Sequence, residues 1–173
     1  NGVVVDRFQE LMNPGQRVSA FIEDYTGISN ALLKDAAPCA EVMARFADYV
    51  GDFNMVAHNA SFDKRFLDAE LARIGRRYRG DFSCSLLATR RVFQDAPNHQ
   101  LATLVRHVNI EADGSFHRAL YDSEMTVKVW LAMLESIRER YHFSDVPFAL
   151  IQKLNKTAKK SVDQFLQAYQ SKS

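Results

Sequence analysis

Two acidic residues, Asp63 and Asp122, close short segments of similar make-up: Val56-Ala57-His58-Asn59-Ala60-Ser61-Phe62-Asp63 and His117-Arg118-Ala119-Leu120-Tyr121-Asp122. Each is followed by a helical pattern. Phe66, Leu67, Leu71 and Ile74 follow the first acid; Met125, Thr126, Val129, Trp130, Met133 and Ile137 follow the second. Steps of three and four put each acid on the stripe that should be buried. A carboxylate facing a core is costly without a compensating partner. The same group is a good ligand for a hard cation such as Mg²⁺ or Mn²⁺, held by one or two carboxylates plus substrate phosphates. Two such ions roughly 3.5–4 Å apart could activate a water on one side of a phosphodiester and stabilise the leaving oxygen on the other. That chemistry needs more carboxylate than two aspartates supply. His117 lies five residues before Asp122, an offset that does not face it on a continuous helix. Two readings stay open for His117: a general base hanging over the acids from a preceding loop, its pKa suited to proton transfer, or a loop histidine that caps the helix.

The elements that must position these groups read as alternating strands and helices. Asn1-Gly2 is a turn-forming pair, and a strand-like run from Val3 through Phe8 and Leu11 follows it. A hairpin there would need a strand upstream; the other reading is a chain segment that happens to begin Asn-Gly. Asn13-Pro14-Gly15 closes the run, Thr26-Gly27-Ile28-Ser29 makes a loop, and a short helix is expected near 30–34. Pro38 should open a helix with Cys39, Val42, Met43, Phe46 and Val50 on one face. Phe53–Ala57 has strand length, and Gly75 is the expected end of the helix that carries Asp63. Phe82–Leu87 is either a strand or the entry to the next helix. His99–Val108 is amphipathic, and a long helix should run from Asp122 to about Arg140. After His142 the texture changes to two amphipathic segments around the basic stretch Lys153–Lys160. We therefore expect an α/β domain over 1–140 and a C-terminal helical extension over 141–173. The extension could pack back on the domain or contact a partner or nucleic acid.

Composition narrows the class. The 173 residues are 47% hydrophobic and 25% charged with a formal net charge of +1, which suits one globular domain and excludes a polycation. Local basic clusters remain, at Lys64, Arg65, Arg73, Arg76, Arg77 and Arg79 and at Arg90-Arg91. They could be solvated helix faces or nucleic-acid contacts. Cys39 and Cys84 are the only cysteines, without zinc-type spacing, which fits a reducing compartment. No apolar run nears the roughly 20 residues of a membrane span. A cytoplasmic protein without a membrane partner is expected.

At His58-Asn59-Ala60-Ser61-Phe62-Asp63 and His117-Arg118-Ala119-Leu120-Tyr121-Asp122 the chain resembles the second and third motifs of the DEDD superfamily of 3′–5′ exonucleases, in its DEDDh form. Within it the chain is similar to the branch of the proofreading epsilon subunits of bacterial DNA polymerase III and their free-standing relatives. The likeness takes in Asn13-Pro14-Gly15, Thr26-Gly27-Ile28 and His99-Gln100-Leu101 and covers roughly residues 3–135. It implies a ribonuclease H-like fold, a mixed five-stranded sheet flanked by helices. It also implies two divalent ions, Mg²⁺ or Mn²⁺, and release of nucleoside 5′-monophosphates from single-stranded DNA 3′ ends, with RNA as the other possible strand and a DNA polymerase as a possible partner. By the same resemblance Asp63 and Asp122 are metal ligands and His117 is the general base. Asn59 and Phe62 support the metal site and the terminal nucleotide, and Thr26, Gly27 and Ile28 border that nucleotide. One departure stands out: the first motif, Asp-x-Glu on the central strand, occurs nowhere ahead of Asp63. Two expectations follow. Either the chain is part of a longer exonuclease whose N-terminal strands carry that motif, and is itself poorly active, or it is an inactive exonuclease-like module that binds nucleic-acid ends or a polymerase.

Overall fold

The computed structural model describes residues 2–112 and 119–171. Its organising unit is a strand–helix–strand crossover. Strand β3 (Met55–Ala57) lies parallel to β4 (Phe82–Cys84), with Met55, Val56 and Ala57 opposite Phe82, Ser83 and Cys84. A parallel pair requires a long connection, and helix α4 (Ala60–Arg73) supplies it. Its end is chemically explicit. Gly75 sits at φ 67°, and the N–H groups of Gly75 and Arg76 donate to the carbonyls of Ala72 and Leu71 at 3.1 and 2.9 Å. That is the paired-bond helix terminus that glycine makes possible without a Cβ clash. A second parallel pair joins β1 (Met12–Asn13) to β2 (Ala37–Pro38). Between them run α1 (Ala20–Thr26) and α2 (Asn30–Lys34), each opened by a serine whose Oγ accepts from the amide three residues on. Helix α3 (Cys39–Val50) follows β2, with Val42 and Met43 buried.

Helix α7 (Ala119–Tyr141) is the spine of the core. Met125, Val129, Met133 and Ile137 are at most 1% exposed, as the sequence stripe required. Against them pack α5 (Ser85–Val92) and α6 (Leu101–His107), the latter through fully buried Leu104 and Val105. Phe82–Leu87, ambiguous by sequence, is both things: a strand that turns directly into α5.

Two expectations are corrected. The run from Val3 to Leu11 forms no strand; only Met12–Asn13 does. Val3 and Val5 are exposed, and the segment is held by side chains instead. Phe8 rests on Phe46 and Tyr49 of α3, Arg7 pairs with Glu124 of α7 at 2.6 Å, and Glu10 pairs with Arg45. A strand needs a neighbour for its amides and carbonyls, and no described segment lies alongside this run. For the same reason the described pairings are all parallel, where the resemblance implied a mixed sheet. The second correction concerns α4. It begins at Ala60, three residues before Asp63, and its stripe is buried only at its far end: Phe66 is 52% exposed whereas Leu71 is 1%. Asp63 is therefore exposed as a residue although it lies in the first turn of α4, where Ala60 is buried.

The C-terminal extension packs back on the domain. Helices α8 (Phe148–Leu154) and α9 (Val162–Gln170) bury Leu150, Ile151, Leu154 and Leu166 completely, in one cluster with the α7 stripe. Complete burial of such side chains stabilises by about 1.5–3 kcal/mol each. Tyr141 of α7 donates its hydroxyl to the Asp163 carboxylate of α9, and burial, reinforced by that bond, pushes its pKa up to about 12. No described helix is long and apolar enough to cross a membrane. Leu154→Ala should cost about 2–5 kcal/mol of unfolding free energy, measured by urea titration. A loss below 1 kcal/mol would mean the extension is not part of this core.

Candidate active site

The turn between β3 and α4 holds the first acid. Asn59 adopts φ 75°, ψ 47°, a left-handed conformation that asparagine tolerates better than most residues. This reverses the chain within two residues of the strand end. Asp63 follows in the first turn of α4, where the helix dipole favours negative charge. The second acid, Asp122, lies in the first turn of α7 and is half-buried. Both line one cleft of about 970 Å³, with Val56 and Ala57 of β3 at its floor and Tyr25, Trp130, Gln100 and Leu101 around it. Two carboxylates from segments 59 residues apart in the chain (122 minus 63) thus share one opening. They are the only acids that line it among the described residues.

Burial acts on the first of these acids. Asp63 is exposed as a residue, yet the wall around its carboxyl removes enough water to raise its pKa from the ordinary value. Its own backbone amide and His58 oppose that shift only in part. Among the described residues no group of three or more His, Cys, Asp or Glu side chains is gathered. Asp63 and Asp122 fit the sparse protein ligation of magnesium, which completes its shell with water and phosphate oxygens.

His58 is the residue that spacing did not single out. It also lines the cleft, and both ring nitrogens are bonded: Nε2 to the His99 carbonyl at 2.8 Å and Nδ1 to Ser85 Oγ at 2.9 Å. A carbonyl only accepts, so Nε2 carries hydrogen and donates; in a neutral ring Nδ1 is then the acceptor and competes with the Ala57 carbonyl, 3.3 Å away, for the Ser85 hydroxyl hydrogen. Desolvation lowers the His58 pKa, partly opposed by the His99 carbonyl, and this favours that neutral ring. His58 therefore ties the β3–α4 turn to the start of α5 and to the loop before α6. His99 extends the tie, with Nε2 bonded to the Phe93 carbonyl at 3.0 Å, and burial lowers its pKa as well. The sequence signal was present in the family likeness, which takes in His99-Gln100-Leu101 as well as the second motif, but nothing in either segment said that they touch.

The remaining candidates are placed as follows. Thr26 ends α1, its Oγ1 accepting from the Ile28 amide at 3.2 Å, and Gly27 caps the helix at φ 68°. The residue of this turn that reaches the cleft is their neighbour Tyr25, not Thr26, Gly27 or Ile28. Asn59 sits at the turn itself and Phe62 packs on Phe66 with ring centroids 4.8 Å apart; neither lines the cleft wall. His117 lies outside the described residues.

Comparison with known proteins places this crossover α/β fold among the exonucleases. The chain belongs to the RNase_T exonuclease family, whose model matches residues 1–130, as the DEDDh resemblance implied. It is 36% identical over 145 residues to the PolC-type DNA polymerase III of Bacillus cereus, covering 82% of this chain and 10% of that protein. It is 34% identical over 146 residues to the Bacillus subtilis PolC-type polymerase, again covering 82% and 10%. The chain thus spans about 10% of the length of these relatives. Among solved structures, exonuclease X, determined in complex with 5′ overhanging duplex DNA, superposes with a TM-score of 0.67 at 23% identity. The match covers 90% of this chain and 84% of that one. The likeness establishes the ribonuclease H-like fold.

The half-buried imidazoles give a pH test. Both His58 and His99 are pushed below their ordinary value, so the unfolded chain takes up protons first as pH falls through about 6.5. Stability should fall between about pH 7 and pH 5, and His58→Gln should make that fall shallower in thermal unfolding. An unchanged slope would show that His58 is not the desolvated group.

Proposed function

We propose that the protein carrying this chain is a metal-dependent 3′–5′ exonuclease. It releases nucleoside 5′-monophosphates from single-stranded DNA 3′ ends, in a proofreading or repair role in the cytoplasm. Residues 1–140 hold the reaction site and 141–173 support it. The observation that carries this reading is the entry of Asp63 and Asp122 into one cleft, in a chain of the exonuclease family. DNA is favoured over RNA because the matched polymerases are DNA polymerases and the structural neighbour was determined with DNA. A polymerase is the corresponding partner.

In this reading Asp63 and Asp122 hold Mg²⁺ or Mn²⁺, two ions in the complete site. The bound ions supply Lewis-acid charge and lower the pKa of the attacking water. The chain's own residues do the rest. Asp63, desolvated and at a helix start, binds positive charge that relieves its burial. Tyr25 and Trp130 flank the space for the terminal nucleotide, while Thr26, Gly27 and Ile28 set the edge of the α1 turn beside it. Asn59 and Phe62 fix the start of α4, with His58 holding the turn. His117 takes the proton from the attacking water. Asp63→Asn and Asp122→Asn should each abolish mononucleotide release from 3′-labelled single-stranded DNA, and His117→Ala should reduce it about 10²-fold or more. Chelation by EDTA should abolish it and Mg²⁺ or Mn²⁺ restore it. Full activity of Asp122→Asn would sink the assignment, and faster release from short RNA than from DNA would move the substrate.

A second reading has a specific observation behind it: Asp63 and Asp122 are the only acids lining the cleft among the described residues. A module with that ligand set could bind nucleic-acid ends without cutting them. Under it, single-stranded DNA binds but no mononucleotide is released with either metal. The 173 residues alone, which hold no Asp-x-Glu ahead of Asp63, are expected to behave in this way.

A further inference from the structure

A second opening lies on the other side of α4. It encloses about 470 Å³ and is built from the first turn of α4, from β4 and from the end of α8. Three lysines line it, Lys64, Lys153 and Lys156, and no acid does. All three are exposed, with Lys64 paired to Asp68 on its own helix and the Lys153 ammonium 5.5 Å from the Tyr169 ring. Asn155 forms part of the wall between them. Its amide donates to Ser83 Oγ at 3.0 Å, and its Oδ1 is buried without a partner. Turned over, the same amide accepts from the serine hydroxyl and leaves its NH₂ unpaired; amide orientation follows the network around it. A backbone phosphate in the opening would be neutralised by the lysines around it.

We propose that this pocket binds the sugar–phosphate backbone of a nucleic-acid strand a few nucleotides 5′ of the end held in the cleft. The inference rests on the exonuclease reading of the cleft. Continuity supports the path: Ala60, Ser61 and Lys64 line the pocket while Asp63, in the same helical turn, lines the cleft. The two openings therefore share one turn of α4 as a wall. The charge also fits. A backbone track needs cations without competing acids, and this pocket has them because the basic stretch of the C-terminal extension is folded against β4. The extension is then a substrate-binding element as well as a part of the core.

The test uses the full-length protein with Ca²⁺ in place of Mg²⁺. Fluorescence anisotropy follows binding of a 5′-labelled thymidylate dimer and hexadecamer over a range of salt. The double variant Lys153→Ala/Lys156→Ala should bind the hexadecamer about 10-fold more weakly, with a salt slope smaller by about 1.4, at roughly 0.7 per phosphate for single strands. Its affinity for the dimer should be unchanged. Lys159→Ala/Lys160→Ala removes the same charge from lysines that do not line the pocket and should have little effect. Equal loss in both double variants, or equal loss for both oligonucleotides, or no loss at all, overturns the proposal. If the unaltered protein binds neither oligonucleotide, the exonuclease reading of the cleft fails together with it.

Discussion

A side chain on a helix points wherever the burial of that helix lets it point. For α7 the stripe through Met125, Val129, Met133 and Ile137 is closed off from water on all sides, so the rotation of the helix about its axis is not free. Asp122, three residues ahead of Met125, inherits that rotation and lies half-buried at the edge of the core, facing the cleft. The placement of one acid is thus a consequence of packing. Turning the helix to take the carboxylate away would drive apolar side chains into water at about 0.8 kcal/mol per methylene.

Asp63 is positioned by a different device. Its helix is loosely covered at the start, and what orients it is the turn: β3 hydrogen-bonded to β4, the left-handed Asn59, and His58 bonded on both sides. A rigid backbone brace thus stands opposite a packed helix, and the cleft is the space between them. Such an arrangement tolerates two acids on one cleft because the carboxyl that loses water, Asp63, stays within reach of solvent. A fully enclosed pair would instead neutralise itself by taking up a proton.

The helices were largely legible before the structure. Periodicity marked α3, α6, α7 and the two extension helices, because their apolar faces are buried against neighbours and burial is what periodicity records. Strands were harder to read. Val3–Leu11 has strand-forming residues, yet β-propensity is a preference for a pleated surface with neighbours, and the described residues offer none. The stripe from Phe66 to Ile74 was read as wholly buried, but only its end is covered. Periodicity reports which residues share a face and is silent on how far that face is capped.

By itself, then, the sequence determined the identity of the two acids, their positions in helical first turns, the family they point to and the amphipathic character of the extension. Those properties are local: they depend on residue type and on spacings of three, four or five. Tertiary structure alone decided that Asp63 and Asp122 share a cleft, that His58 meets Ser85 and His99, and that Lys153 and Lys156 fold back beside Lys64. Each of these joins segments tens of residues apart, and their meeting is set by how strands pair and helices stack, a balance of many small burial terms that no short stretch of sequence contains.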